Sequence, residues 1–219
     1  MSIGDVTVIG FARTRMQFAL QNAMAAANFS RRVHDLEQAN NGAALAGFFD
    51  EILWNATASI FCASASLEAY SNEVFADREK QYSVYPAPVI DEIWELLENK
   101  PPLEKLSMAL SLLKAPEFDR GTKPYQSASA LTKLRNALIH FKPEWTGADG
   151  NHSRLSKQID SLFTGTPFIP GDEGLFPRRW ASHSCTAWAG YTVVSLVNDF
   201  EAKANLNPKL AQRLSQLVF

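Results

Sequence analysis

The sequence predicts an all-α fold, a bundle of long helices with additional short ones. Apolar residues recur at spacings of three and four over long stretches, as expected for one face of an α-helix. Breaks at "NNG", "YPAP" and "NKPP" separate these stretches. We identify no convincing pair of β-strands and no internal repeat, so residues 1–219 are expected to form a single all-helical domain.

The first two helices are predicted to be the longest in the N-terminal half. Residues 12–39 are rich in Ala, Gln, Met, Leu and Arg, which favour helix, and "NNG" ends this stretch. A second helix is predicted over residues 43–78. Its apolar stripe consists of Phe49, Ile52, Ala56, Ile60, Ala63, Leu67, Tyr70 and Val74. We divide the chain into an N-terminal helix, 1–39, and a core bundle, 40–204.

Shorter helices are predicted in the middle of the chain. Pro88 suits the start of one helix, and another covers residues 103–113. A third is predicted over residues 125–141, where Leu131, Leu134, Leu138 and Phe141 recur at spacings of three and four. It should end there because Pro143 disfavours helical geometry at the residue before it. The next is a modest helix over residues 153–163.

The C-terminal part is predicted to contain a long loop and then a central helix. Residues 164–180 are dense in Pro and Gly and are expected to be irregular. Residues 182–204 are apolar on most sides, which is typical of a helix at the centre of a bundle or in an interface. A short terminal helix is predicted after residue 206.

Composition limits the classes of function. The formal charge of −2 and a pI of about 6.1 argue against a protein coated in positive charge, but a local basic cleft still suits nucleic acid. The two cysteines have no zinc-site spacing, and there is no glycine-rich phosphate loop or nucleophile elbow, so we expect no metal and no cofactor. The N-terminus lacks a signal-peptide pattern and no long apolar run occurs, so we expect a cytoplasmic protein without membrane contact.

The stretch "LTKLRNALIHFKPEW", residues 131–145, carries Arg135, Asn136 and His140 near the end of a predicted helix. A guanidinium matches phosphate oxygens, and an imidazole can transfer a proton near neutral pH. Asn136 and His140 are four residues apart and share a face, whereas Arg135 and His140 are separated by about 140° around the helix. One helix therefore does not aim both side chains at one point, and a site that uses both needs a second polar surface.

"RNALIH" resembles the R-N-x-x-x-H signature of HEPN domains, small helical bundles that are widespread in prokaryotic defence and toxin–antitoxin systems. The segment "SIFCASASLEAYSNEVF", residues 59–75, is similar to a long helix of many HEPN proteins. The resemblance implies a HEPN-like helical bundle. It does not cover the region before residue 40 or the loop 164–180.

The resemblance also implies a metal-independent endoribonuclease, in which two protomers of a homodimer build one cleft around an RNA phosphodiester. Arg135 would contact the scissile phosphate and stabilise its developing charge. His140 would act as general acid or base in attack by the ribose 2′-hydroxyl, which leaves a 2′,3′-cyclic phosphate. Asn136 would orient the histidine or contact phosphate. Such a protein would be a toxin, held by an antitoxin protein, or a defence or stress effector.

Five further residues are candidates for supporting roles. Ser64, Glu68 and Asn72 lie at i, i+4 and i+8 of the long helix and form a polar strip. This strip either faces the cleft, with Glu68 paired to Arg135 or His140, or is a solvated face. Lys133 and Lys142 flank the motif and are candidates for RNA contact. The tryptophans are expected to be core or interface anchors.

The alternative is a non-catalytic HEPN-like bundle that binds a protein partner or a nucleotide. The motif would then be a structural hydrogen-bond network, and Arg135 would be buried against Glu68. An accidental motif in an unrelated bundle would be indicated if the motif helix and the last long helix did not pack together.

Overall fold

The computed structural model describes residues 16–76, 78–145, 150–207 and 209–219, and every regular element within them is helical. The α-helices are α1 (Phe18–Ala39), α2 (Phe48–Ala76), α3 (Arg78–Gln81), α4 (Ala87–Leu97), α5 (Pro102–Leu112), α6 (Lys123–Ile139), α7 (Asn151–Ile159), α8 (His183–Lys203) and α9 (Lys209–Leu214). The prediction of an all-α fold is confirmed. Residues 12–15 of the first predicted helix lie outside the described residues. No described helix is both long enough and apolar enough to cross a membrane.

Helices α1 and α2 form an antiparallel pair with small residues between them. Ser66 Oγ donates to the Ala19 carbonyl at 2.6 Å, and Ser59 Oγ donates to the Ala26 carbonyl at 3.0 Å. The buried alanines of the two helices are Ala19, Ala23, Ala26 and Ala27 on α1 and Ala56 and Ala63 on α2. Small side chains allow close approach of two helices, because the interaxial distance depends on the residues at the contact. Helix α1 therefore shares one hydrophobic core with the helices of the segment 40–204.

Helix α8 occupies the centre of the bundle and packs against α1, α2 and α6. Ser30 Oγ and Thr186 Oγ1 share a hydrogen bond of 2.8 Å between α1 and α8. The rings of Tyr70 and Phe200 meet edge to face, with 5.7 Å between their centroids. The apolar sequence of this helix thus correctly indicates a central position. Helix α6, which carries the R-N-x-x-x-H motif, packs against both α2 and α8.

The predicted loop 164–180 is tied to the bundle rather than extended from it. It contains a five-residue helical turn, Leu175–Arg179, interrupted by the extended backbone of Phe176. The Thr166 N–H donates to the Arg179 carbonyl at 2.8 Å, and the Phe176 N–H donates to Ser156 Oγ at 2.9 Å. Leu175, Phe176 and the following Trp180 are buried. The segment accordingly closes the core over α7.

Candidate active site

The motif helix holds Arg135, Asn136 and His140 on its exposed side. On its other side Leu131 and Leu134 are fully buried and fix its rotation about its own axis. Arg135 donates from a terminal guanidinium nitrogen to Asn136 Oδ1 at 2.9 Å. His140 is the first residue after the last helical turn, and its N–H still donates to the Asn136 carbonyl at 2.9 Å. All three side chains are open to solvent.

Arg135 faces a groove of about 760 Å³, which we call the Arg135 groove. Its polar lining comes from α2, from the segment before α5, and from α6: Ser64, Glu68, Asn72, Glu98, Asn99, Lys100, Thr132, Arg135 and Asn136. The apolar lining includes Phe61, Pro101 and Ile139. The structure thus brings the predicted polar strip of α2 and two of the three motif residues to one surface.

His140 faces a different groove of about 450 Å³, which we call the His140 groove. Its polar lining is Lys133, Asn136, His140, Lys142, Glu144, Asn151, His152, Arg154 and Gln158. Asn136 lines both grooves, and Arg135 and His140 lie on either side of it. The separation follows from the angle between positions five apart on a helix. Within one chain, therefore, Arg135 and His140 do not share a surface.

The carboxylate of Glu68 pairs with Lys105, so the alternative in which it pairs with Arg135 or His140 is not observed in the single chain. Lys105 Nζ donates to Glu68 Oε1 and, at 2.7 Å, to Asn72 Oδ1. Arg135 forms no ion pair with any acidic residue of the described ranges, so its positive charge faces the groove without an acidic partner. Ser64 Oγ is buried and lacks a partner among the described residues. The groove therefore contains a carboxylate that is paired with a lysine, that of Glu68, and the guanidinium of Arg135, besides the charged side chains of Glu98 and Lys100.

Lys105 is the functional candidate that the sequence analysis missed. Its side chain is 0% exposed, and its ammonium lies 5.9 Å from the centroid of the Trp94 ring. A buried charge is costly unless it is paired and hydrogen-bonded. The sequence does carry a signal: Lys105, Ala109 and Leu112 follow the spacing of a buried helix face, and all three are buried. A lysine on such a face requires an acidic partner, which only the packing of α5 against α2 identifies.

The His140 groove is predominantly cationic. Lys133, Lys142, Arg154 and His140 are exposed there, and His152 is partly buried. The acidic residue among its lining, Glu144, accepts hydrogen bonds from the N–H groups of His152 and Asn151 at 3.0 and 2.9 Å. These bonds, that from His152 first, hold the pKa of Glu144 below its usual value. The Glu144 carboxylate is thus hydrogen-bonded to the N-terminus of α7. Lys133 and Lys142 line the groove together with His140, and their positive charges suit an anionic ligand.

Two of the tryptophans, which were expected to anchor the core or an interface, lie outside the core. Trp54 is 68% exposed and Trp145, five residues after His140, is 92% exposed. Trp180, in contrast, is fully buried and donates its indole N–H to the Pro177 carbonyl at 2.9 Å. Trp54 and Trp145 are therefore not core anchors, and an interface role for them stays a prediction.

His34 and His183 form a separate cluster between α1 and the start of α8. Their rings lie 4.6 Å apart, beside a pocket of about 640 Å³. Glu37 accepts the His183 N–H at 2.9 Å. Burial lowers the pKa of His183 and raises that of Glu37. This cluster shares no lining residue with the Arg135 or the His140 groove.

Within the described ranges, no three His, Cys, Asp or Glu side chains are grouped closely enough to hold a metal ion. Comparison of the chain with protein-family models and with curated proteins, and of its structure with solved structures, found no match.

Proposed function

We propose that the protein is a metal-independent endoribonuclease of the HEPN type, with Arg135, Asn136 and His140 as its catalytic residues. One observation supports this function most directly: Arg135 is exposed on a groove and has no acidic partner among the described residues. In the non-catalytic alternative Arg135 would instead be buried against Glu68. An open, uncompensated guanidinium beside the groove is suited to hold a phosphate.

The proposed reaction is transfer of the RNA phosphate to the neighbouring ribose hydroxyl. The 2′-oxygen attacks phosphorus, the bond from phosphorus to the 5′-oxygen breaks, and a 2′,3′-cyclic phosphate and a free 5′-hydroxyl result. His140 removes the proton of the 2′-hydroxyl or supplies the proton to the leaving oxygen. Arg135 stabilises the charge that develops on the non-bridging oxygens. Asn136, hydrogen-bonded to Arg135, keeps the guanidinium oriented.

The proposed active form is a homodimer, because in a single chain Arg135 and His140 open into different grooves. A twofold arrangement of two α6 helices would set the Arg135 groove of one protomer against the His140 groove of the other. Ile139 and Phe141, on either side of His140, are 47% and 49% exposed. Apolar side chains at the end of the motif helix suit a partner surface. The role as a toxin, with an antitoxin partner, or as a defence or stress effector is part of the same proposal.

Cleavage of single-stranded RNA in EDTA by the purified protein tests the function. We expect cyclic-phosphate products from the wild type and a loss of at least about 100-fold in rate for His140→Ala and Arg135→Ala. His34→Ala is the matched control, because His34 lines neither groove, and this variant should cleave RNA normally. Equal RNA survival with wild type and His140→Ala would contradict the proposal.

Mixing the two inactive variants tests the composite site. A dimer of one Arg135→Ala chain and one His140→Ala chain keeps one arginine and one histidine, contributed by different protomers. We expect partial recovery of cleavage after the two variants are unfolded and refolded together. No recovery in a mixture proven to contain mixed dimers would show that both groups act from the same chain.

A further inference from the structure

We propose that the Arg135 groove binds a nucleobase, and that Glu68 and Asn72 recognise its hydrogen-bonding edge while Lys105 positions both. This inference rests on the proposed function only in taking Arg135 as the phosphate contact. The base contacts are argued from the network on α2 and α5 and can be tested without cleavage.

The buried ammonium of Lys105 fixes which atoms of Glu68 and Asn72 face the groove. It occupies Glu68 Oε1 and Asn72 Oδ1. Asn72 must therefore present its amide nitrogen, a donor, on the side of the amide group that points away from Oδ1. Glu68 is left with Oε2, an acceptor, and 46% of its side chain is exposed. No described residue donates to Oε2 or accepts from the Asn72 amide nitrogen.

The result is a fixed acceptor and a fixed donor next to each other in one groove. Both side chains bond the same nitrogen, so their ends are held side by side, one helical turn apart on α2. Nucleobases present such donor and acceptor atoms in pairs along one edge, and amide and carboxylate side chains are common readers of them. Ion pairing with Lys105 also neutralises the carboxylate, which would otherwise repel a polyanion.

The rest of the groove has the size and lining for a nucleotide. Its volume of about 760 Å³ lies within the usual range of small-ligand sites, roughly 300–1,000 Å³. Phe61, Pro101 and Ile139 supply apolar surface for the faces of a base. Arg135 and Lys100 line the same groove and can contact the phosphate. A base and a phosphate therefore each meet a suitable surface.

Calorimetric titration with the four nucleoside 5′-monophosphates and with ribose 5-phosphate, in EDTA, tests the inference. At least one nucleotide should bind about tenfold more tightly than ribose 5-phosphate, which lacks the base. Glu68→Gln keeps an acceptor for Lys105 but turns the groove-facing oxygen into a donor. It should weaken that nucleotide about tenfold and leave ribose 5-phosphate unchanged or slightly tighter.

The sign of this change separates base recognition from charge. Removing a negative charge near a phosphate site favours anions, so a purely electrostatic role of Glu68 predicts tighter nucleotide binding. Glu98→Gln is the matched control, because Glu98 lines the same groove but lies outside the Lys105 network. It should not weaken the nucleotide.

Lys105→Met is a second variant, which removes both the positioning of Glu68 and Asn72 and the charge that neutralises the Glu68 carboxylate. Lys105 is fully buried and does not line the groove, so its loss should reduce the preference for nucleotide over ribose 5-phosphate without abolishing sugar-phosphate binding. Circular dichroism establishes that each variant is folded. The inference is overturned if no nucleotide binds more tightly than ribose 5-phosphate, or if Glu68→Gln fails to weaken binding of the preferred nucleotide. Base binding without RNA cleavage would uphold this inference and reject the nuclease, whereas cleavage without base binding would do the reverse.

Discussion

Removal of Lys105 and removal of Glu68 should change the free energy of unfolding by different amounts, because Lys105 is fully buried and Glu68 is 46% exposed. Glu68→Ala leaves an ammonium in the interior with Asn72 Oδ1 and the Trp94 ring as its remaining partners. Lys105→Met removes the buried charge, keeps an unbranched apolar stem, and leaves Glu68 and Asn72 accessible to water. The two substitutions thus test whether the cost lies in the buried charge.

The expected magnitudes follow from that difference in burial. Breaking a fully buried pair by removing one partner costs about 3–5 kcal/mol. Because Glu68 is half-exposed, water can partly take the place of its carboxylate beside the Lys105 ammonium. We therefore expect Glu68→Ala to lower the free energy of unfolding by about 2 kcal/mol. Lys105→Met should change it by no more than about 1 kcal/mol in either direction. The double variant should have the same free energy of unfolding as Lys105→Met, because without the lysine the alanine leaves no buried charge unpaired.

Urea unfolding followed by far-ultraviolet circular dichroism measures all three variants against the wild type. The midpoints and slopes give the free energies of unfolding and the interaction energy of the pair. A larger loss for Lys105→Met than for Glu68→Ala would refute the reasoning. A double variant whose loss equals the sum of the single losses would show that the two residues do not interact.

Two further predictions concern the C-terminal part of the bundle. Gly190→Ala should destabilise the protein by about 1–3 kcal/mol, because an added Cβ would collide with the Phe219 ring. Gly171→Ala is the control, because the space at that position is open. Equal thermal unfolding midpoints for the two variants would contradict the predicted collision. Burial raises the pKa of Glu201, which accepts hydrogen bonds from Tyr70 and the Ala211 N–H. A raised carboxyl pKa contributes stability below the unfolded value of about 4.3, and that contribution is lost as the pH rises through the folded value. Glu201→Gln should therefore gain stability relative to wild type between about pH 3.5 and pH 7, and a pH-independent difference in urea midpoints would reject this.

Much of the helical architecture could be predicted because apolar spacing and breakers are local properties of the chain. The first described helix ends at Ala39, as "NNG" indicates, and the last long helix, predicted over 182–204, is observed at His183–Lys203. Some observed helix ends differ from the predicted ones by a few residues. The second helix begins at Phe48 rather than at residue 43, and the motif helix ends at Ile139 rather than at residue 141. These shifts are of the size expected from fraying and from end effects that spacing does not encode.

The candidate site was only partly predictable. Spacing alone places Ser64, Glu68 and Asn72 on one strip, and it separates Arg135 from His140 around α6. It does not indicate which helix lies against that strip. The ion pair of Glu68 with Lys105 joins residues 37 positions apart, and nothing local to either residue specifies it.

The sequence by itself determined the helical class, the extent of most helices, and the identity and angular relation of the motif residues, because each depends on propensity and on a 3.6-residue period. The tertiary structure decided that α1 belongs to the core, that Arg135 and His140 open into separate grooves, and that Lys105 is buried beneath Glu68 and Asn72. The physical reason is that a buried charge and a shared groove are properties of two or more packed helices. Their partners come from distant parts of the chain, and only the packing of α2, α5 and α6 brings them together.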